Sequence, residues 1–211
     1  REELSHGSRY DRFICVSDTD RDWLLRHKSR IQIDVIGNGV DLDAFPFRSL
    51  TGPPRGIYFI GWFMNRQNCI GLDFFLQSVW PGLKSRGCDF IVVGKDLDQP
   101  RREELARQGI RYLGFLDTPN LVREVHNRIL VVPLRSGSGT RLKILEAMSM
   151  GNPVISTAIG IEGIRAEDGR HYLRAETGNE FQQAVHRLMF ESDQASAIVA
   201  NARDLVAHEY E

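Results

Sequence analysis

Short, mostly apolar runs recur along the chain at 13–16, 33–36, 57–60, 90–93, 110–113, 129–132 and 154–156, and most of them end in Gly, Pro, Ser or Thr. Runs of this length, rich in Ile, Val and Phe and closed by turn formers, predict β-strands. Between them apolar residues fall at helical spacing, as over 72–83, 121–126 and 142–150. Strands that are apolar on both faces and separated by helices predict a parallel sheet covered on both sides, an α/β, Rossmann-like architecture. From Phe181 to Tyr210 the pattern is helical only. The expectation is a βαβ core over about 57–175, closed by two carboxyl-terminal helices.

The opening stretch does not share that rhythm. Residues 1–36 hold two strands and one helix, with Ser17, Asp18, Thr19 and Asp20 supplying its cap. Such a piece is too small to bury a core of its own, so it is expected to be the remnant of a larger amino-terminal region. Residues 37–56, ending in the Pro- and Gly-containing stretch 47–56, read as a linker. Residues 57–211 then form the main domain, and no repeat or low-complexity tract interrupts it.

Composition narrows the classes. A chain of 211 residues, 42% hydrophobic and 26% charged, suits one core of about 100–200 residues. Lys and Arg total 27 against 28 for Asp and Glu, so no general attraction to polyanions exists and no nucleic-acid partner is expected. The longest strongly apolar run, Ile129 to Leu134, is far below the ~20 residues of a membrane helix. Arg1, Glu2 and Glu3 do not open a signal peptide. Cys15, Cys69 and Cys88 are odd in number, far apart and never two residues from one another, which argues against a disulfide framework or a cysteine zinc site. A soluble chain in a reducing, cytoplasmic setting is the expectation.

In an open parallel sheet, ligands bind beyond the carboxyl ends of the strands. One loop there stands out: after the strand 129–132 comes Pro133-Leu134-Arg135-Ser136-Gly137-Ser138-Gly139-Thr140, then a helix starting near Arg141. Small residues let backbone amides approach a ligand, and the helix amino terminus favours an anion such as phosphate. Arg141 and Lys143 stand in the first turn, where the macrodipole disfavours cations by about 0.3–1 kcal/mol each; a bound phosphate would explain them. Glu146 lies three residues after Lys143 and seven after Gly139, so it shares their helix face and can look back toward the loop. A carboxylate there suits vicinal hydroxyls of a ribose or sugar; a surface Lys143–Glu146 ion pair accounts for the same spacing. Gly137 and Gly139 begin a dinucleotide fingerprint whose third glycine is replaced by Leu142, and no P-loop, His-Glu-x-x-His or Gly-x-Ser-x-Gly motif is present. The six histidines are scattered, and no acid–base or nucleophilic machinery is visible.

The run from Gly137 through Arg141-Leu142-Lys143-Ile144-Leu145-Glu146-Ala147-Met148 to Gly151-Asn152-Pro153-Val154 resembles the donor-binding signature of family-4 glycosyltransferases of the GT-B fold. Val16 to Asp20, Ile36-Gly37-Asn38-Gly39-Val40-Asp41 and Ile91-Val92-Val93-Gly94 agree with that family in order and spacing, so the likeness covers nearly the whole chain. The resemblance implies a retaining transferase that moves a sugar from a nucleotide diphosphate sugar to an acceptor hydroxyl in glycan biosynthesis, with no cofactor and no obligatory metal. It implies that 57–211 is the nucleotide-sugar-binding, carboxyl-terminal domain and 1–36 a remnant of the acceptor domain. Such a half would not turn over alone, and no catalytic residue is assigned within it. The donor would be UDP- or GDP-linked, the acceptor a glycan, a lipid-linked or a small molecule, and membrane contact would come only through the missing domain.

Carried over by position, Glu146 matches a ribose-hydroxyl ligand. Gly139, Thr140, Arg141 and Leu142 match the loop and helix start whose backbone meets diphosphate and sugar. Gly61 opens the pattern after the first strand of the domain. Leu113-Gly114-Phe115 is similar to the segment flanking the nucleobase, core packing being the other reading of Phe115. The chain departs from the pattern at three places: Ser138 stands where a donor-contacting glutamate is found, and Trp62 and Ile70 stand where the family has a phosphate-binding Arg and Lys. Arg141 and Lys143, with Arg66 as a further candidate, are expected to take over that charge. Glu162 is placed either to line the same crevice or to stabilise its turn. Two other readings share this architecture, a sugar-nucleotide epimerase and a non-catalytic nucleotide-binding module.

Overall fold

A computed structural model describes residues 12–27, 32–137 and 139–211. Two parallel sheets organise it. The first pairs only β1 (Arg12–Cys15) with β2 (Gln32–Val35), joined through α1 (Asp18–His27). Ser17 starts that helix as the cap motif predicts: its hydroxyl oxygen accepts from the Asp20 N–H at 3.1 Å.

The second sheet has six strands in the order β5-β4-β3-β6-β7-β8, every pair parallel. In chain order these are β3 (Ile57–Ile60), β4 (Phe90–Val93), β5 (Arg111–Tyr112), β6 (Ile129–Val132), β7 (Val154–Ser156) and β8 (Leu173–Arg174). The crossovers are α2 (Arg66–Ser78) with α3 (Trp80–Lys84), α4 (Gln99–Arg107), α5 (Thr118–Val125) and α6 (Leu142–Met150); α7 (Gly178–Phe190) and α8 (Ser192–Glu209) close the chain.

Alternation along the strands feeds two apolar layers. Ile57, Phe59, Phe90, Val92, Ile129 and Val131 face a layer completed by Phe75, Trp80 and Phe181 from α2, α3 and α7. Tyr58, Ile91, Val93, Leu130 and Val132 face the opposite layer, completed by Val125 of α5 and by Ile144, Leu145 and Met148 of α6. Helix α8 serves both: Ala195 and Ile198 join the first layer, Ala202 and Val206 the second. This is the α/β, Rossmann-like sheet with helices on both faces that the periodicity predicts.

The expected elements shift in places. The apolar stretch 72–83 divides at Val79 into α2 and α3, because Pro81 at the start of α3 cannot continue a helical ladder. The strand expected over 110–113 forms ladder pairs only at Arg111 and Tyr112. Helix α4 and strand β8 lie outside the elements that the periodicity predicts. Helix α4 buries Leu105 alone, so it carries little apolar signal, and it is set by Asp98, whose side chain caps the Arg101 N–H, and by Pro100.

Candidate active site

Strand β3 lies between β4 and β6, and the connections run one way from β3 to β4 and the other way to β6. At such a reversal the loops beyond the carboxyl ends part and leave a crevice. A cleft of about 530 Å³ opens there, lined by the strand ends Ile60, Gly61 and Gly94, by Phe115, and by Lys143 and Glu146 of α6.

Its floor is a close backbone crossing. A Cβ on Gly94 would stand 1.8 Å from the Gly61 carbonyl oxygen, and Gly94 has φ +137; only glycine fits. The ends of β3, β4 and β5 are stitched together by Gly61 N–H to Val93 C=O (3.1 Å) and Gly94 N–H to Gly114 C=O (2.8 Å). The Tyr112 hydroxyl adds a bond to the Gly94 carbonyl (2.7 Å).

Helix α6 begins at the rim. Gly137 (φ +117) and Gly139 (φ +89) lead into it, and the cap residue Arg141 makes no side-chain capping bond. A Cβ on Gly139 would meet nothing within 4 Å, whereas Thr140 lies against Gly163. The head of α2 adjoins the same loop, since a Cβ on Gly137 would be 2.3 Å from Gln67 Oε1. Two helix amino termini therefore converge on one rim, a concentration of N–H groups and positive dipole suited to an anion.

The charged groups are partly withdrawn from water. Lys143 donates to the Ile60 carbonyl (2.6 Å) and to Asn68 Oδ1 (3.2 Å) and lies 5.5 Å from the Phe59 ring centroid. Burial pushes its ammonium down to about 8, the Arg141 charge acting the same way and Glu146 opposing. Burial raises the Glu146 carboxyl above the usual range, against the pull of Lys143. Among the described residues no ion pair joins Lys143 to Glu146, so the surface-pair account of their spacing does not hold. Burial lowers the Arg141 guanidinium, with the Glu162 charge opposing it.

The residues singled out from sequence fall into three groups. Gly61, Phe115, Lys143 and Glu146 share the cleft. Gly139, Thr140, Arg141 and Leu142 form the loop and the first turn of α6, and Arg66 is the exposed first residue of α2. Ser138 lies outside the described residues. Phe115 is 73% exposed, which overturns core packing as its role. Lys95 and Asp117 also line the cleft and were missed. Asp117 caps α5 by accepting from the Asn120 N–H at 3.0 Å. Lys95 directly follows the strand-ending Gly94, and that position was its signal in the sequence. Among the described residues no group of three or more His, Cys, Asp or Glu is arranged to hold a metal ion, and no described helix is long and apolar enough to cross a membrane.

A search of curated proteins gave no significant match. Among solved structures, a variant of S. aureus TarM in complex with fondaparinux, α-GlcNAc-glycerol and UDP superposes at a TM-score of 0.81 and 16% identity, over 99% of this chain and 43% of that one. Anabaena HepE in complex with UDP-glucose gives 0.76 and 16%, over 100% and 63%. Sucrose-phosphate synthase from Thermosynechococcus elongatus gives 0.77 and 19%, over 99% and 56%. The chain thus spans roughly half the length of these structures. The profile of the family Glycosyl transferases group 1 matches residues 54–191, about two thirds of the sequence, and the chain belongs to that family.

Proposed function

We propose that this chain is the donor-binding, carboxyl-terminal half of a retaining family-4 transferase that moves a sugar from a UDP- or GDP-linked donor to a glycan, lipid-linked or small-molecule hydroxyl. The observation that carries the reading is the strand-end cleft in which Glu146 stands beside the converging heads of α2 and α6. In this reading the amides of 139–142 and the dipole of α6 hold the diphosphate. Glu146 accepts hydrogen bonds from ribose hydroxyls, and the exposed ring of Phe115 flanks the base. Arg141 adds charge at the rim, and Arg66 adds it from α2. Glycine at 61 lets the donor come close to the backbone.

Likenesses to three proteins support the reading. TarM and HepE were solved with UDP and UDP-glucose respectively. The carboxyl-terminal domain of a glycosyl transferase group 1 protein, LpcC from Francisella tularensis, gives a TM-score of 0.66 at 22% identity, over 82% of this chain and 99% of that domain. Residues 1–36 are then the remnant of the acceptor domain, 37–56 the connection and 57–211 the donor domain. Water exclusion and acceptor positioning belong to the other half, so the reading assigns this chain binding without turnover. It carries with it a metal-independent reaction and a cytoplasmic setting.

Calorimetry with UDP and GDP tests the proposal. One of the two is expected to bind, and Glu146→Ala is expected to weaken it about tenfold through loss of charge-assisted hydrogen bonds. Unchanged affinity in that variant removes the ribose role of Glu146.

A further inference from the structure

The cation deepest in the cleft is already engaged. Lys143 directs its ammonium to the Ile60 carbonyl and Asn68 Oδ1 beneath the opening, while the family's phosphate-binding arginine position holds Trp62. The structure shows what that tryptophan does. Its indole N–H donates to Asp96 Oδ2 at 2.6 Å, and the Lys95 ammonium lies 4.9 Å from its ring centroid. Phe63 N–H donates to the Lys95 carbonyl at 3.0 Å, fixing the backbone of Lys95 beside Trp62. Asp96 has φ +62, a left-handed conformation that Asp tolerates better than most residues, and the indole bond ties it down. Trp62, Gly94 and Lys95 all line the same cleft as Lys143 and Glu146.

We infer that Lys95, seated on the indole face of Trp62, supplies the cation that meets the donor's diphosphate. The inference rests on the nucleotide-sugar reading of the cleft and adds a residue to it. A carboxylate partner would neutralise the ammonium and compete with an incoming phosphate. An aromatic face restrains the ammonium while leaving its hydrogen-bond donors available, because the attraction is to the ring quadrupole. One oxygen of the neighbouring Asp96 carboxylate is engaged by the indole N–H, and among the described residues no ion pair joins Asp96 to Lys95. Trp62 is therefore a positioning residue and Lys95 the contact.

Titration calorimetry on the chain separates the charge from the base, using UDP against uridine and GDP against guanosine. Lys95→Ala is expected to weaken the better-bound diphosphate about tenfold and its nucleoside by less than about twofold, and to flatten the dependence of affinity on salt. Lys95→Arg is expected to retain most of the affinity. Trp62→Phe, which keeps a ring face, is expected to lose less than Trp62→Ala. Thermal unfolding of each variant identifies any loss that comes from misfolding. If the unaltered chain binds a diphosphate and Lys95→Ala binds it equally well, or loses nucleoside and diphosphate alike, Lys95 has no such role and the cleft keeps its assignment. If neither UDP nor GDP binds the unaltered chain, the donor reading falls, and the role of Lys95 falls with it.

Discussion

Lys143 shows how one residue can satisfy two constraints. In sequence it is a cation misplaced in the first turn of a helix, a placement that a bound anion would explain. In the structure its ammonium reaches past the turn to the carbonyl that ends β3. Withdrawal from water lowers its proton affinity to about 8 from an ordinary 10.5. The unfolded chain keeps the ordinary value, so between about pH 8 and 10.5 it holds a proton that the folded chain has released, and stability rises with pH across that window. The contribution is constant below pH 8. Urea denaturation of the wild type and of Lys143→Met should give a stability difference that climbs by up to about 3 kcal/mol over that range; a flat difference would mean that the ammonium stays hydrated. That Lys143 and Glu146 share one face of α6 and one cleft was legible from their spacing, because helical geometry alone decides it; Gly139, expected on the same face, lies instead in the loop before the helix, where its φ of +89 keeps it out of helical geometry. The exposure of Phe115 and the seat of Lys95 on Trp62 were not, because each depends on loops brought together from different strands.

At the level of elements, legibility followed apolar content. Strands β3, β4 and β6 lie at the residues expected, since each is wholly apolar and is buried on both faces almost throughout. Helix α4 and strand β8 escaped notice because one is nearly all polar and the other is two residues long. Helix α6 was read to its last residue: Gly151 ends it at φ +81, in the left-handed conformation that closes helices. The join between β3 and β4 carries the sharpest steric demand. Gly94→Ala would drive a methyl group into the Gly61 carbonyl at a φ that side chains avoid. It is expected to lower stability by about 2 kcal/mol or more in urea denaturation and to distort the cleft floor, so that the proposed nucleotide binding weakens with it. An alanine variant as stable as the wild type would show that this crossing can open without cost.

Across the whole molecule, the carboxyl terminus acts on parts remote in sequence. The Tyr210 carbonyl accepts from the Val40 N–H at 2.7 Å, and its hydroxyl accepts from the Arg165 N–H at 2.8 Å. The connection between the two sheets is thereby pinned beside the end of α8. Removing residues 207–211 should leave the large sheet folded, because Val206 and the residues before it still complete both apolar layers. Amide exchange at Val40 should then accelerate at least about tenfold as its acceptor is lost; unchanged protection would show that the connection is held by other contacts.

The strand order around β3 has a further consequence. The cleft walls come from five stretches of chain, near 45, 61, 94, 117 and 144, so no short peptide contains a miniature of it. Whatever occupies it bridges segments that separate on unfolding, and occupancy is transmitted to the stability of the sheet as a whole. A ligand at one hundred times its dissociation constant adds about 2.7 kcal/mol to the folded state. The melting temperature of the chain can therefore rank candidate ligands of the cleft, the proposed sugar nucleotides among them, against one another.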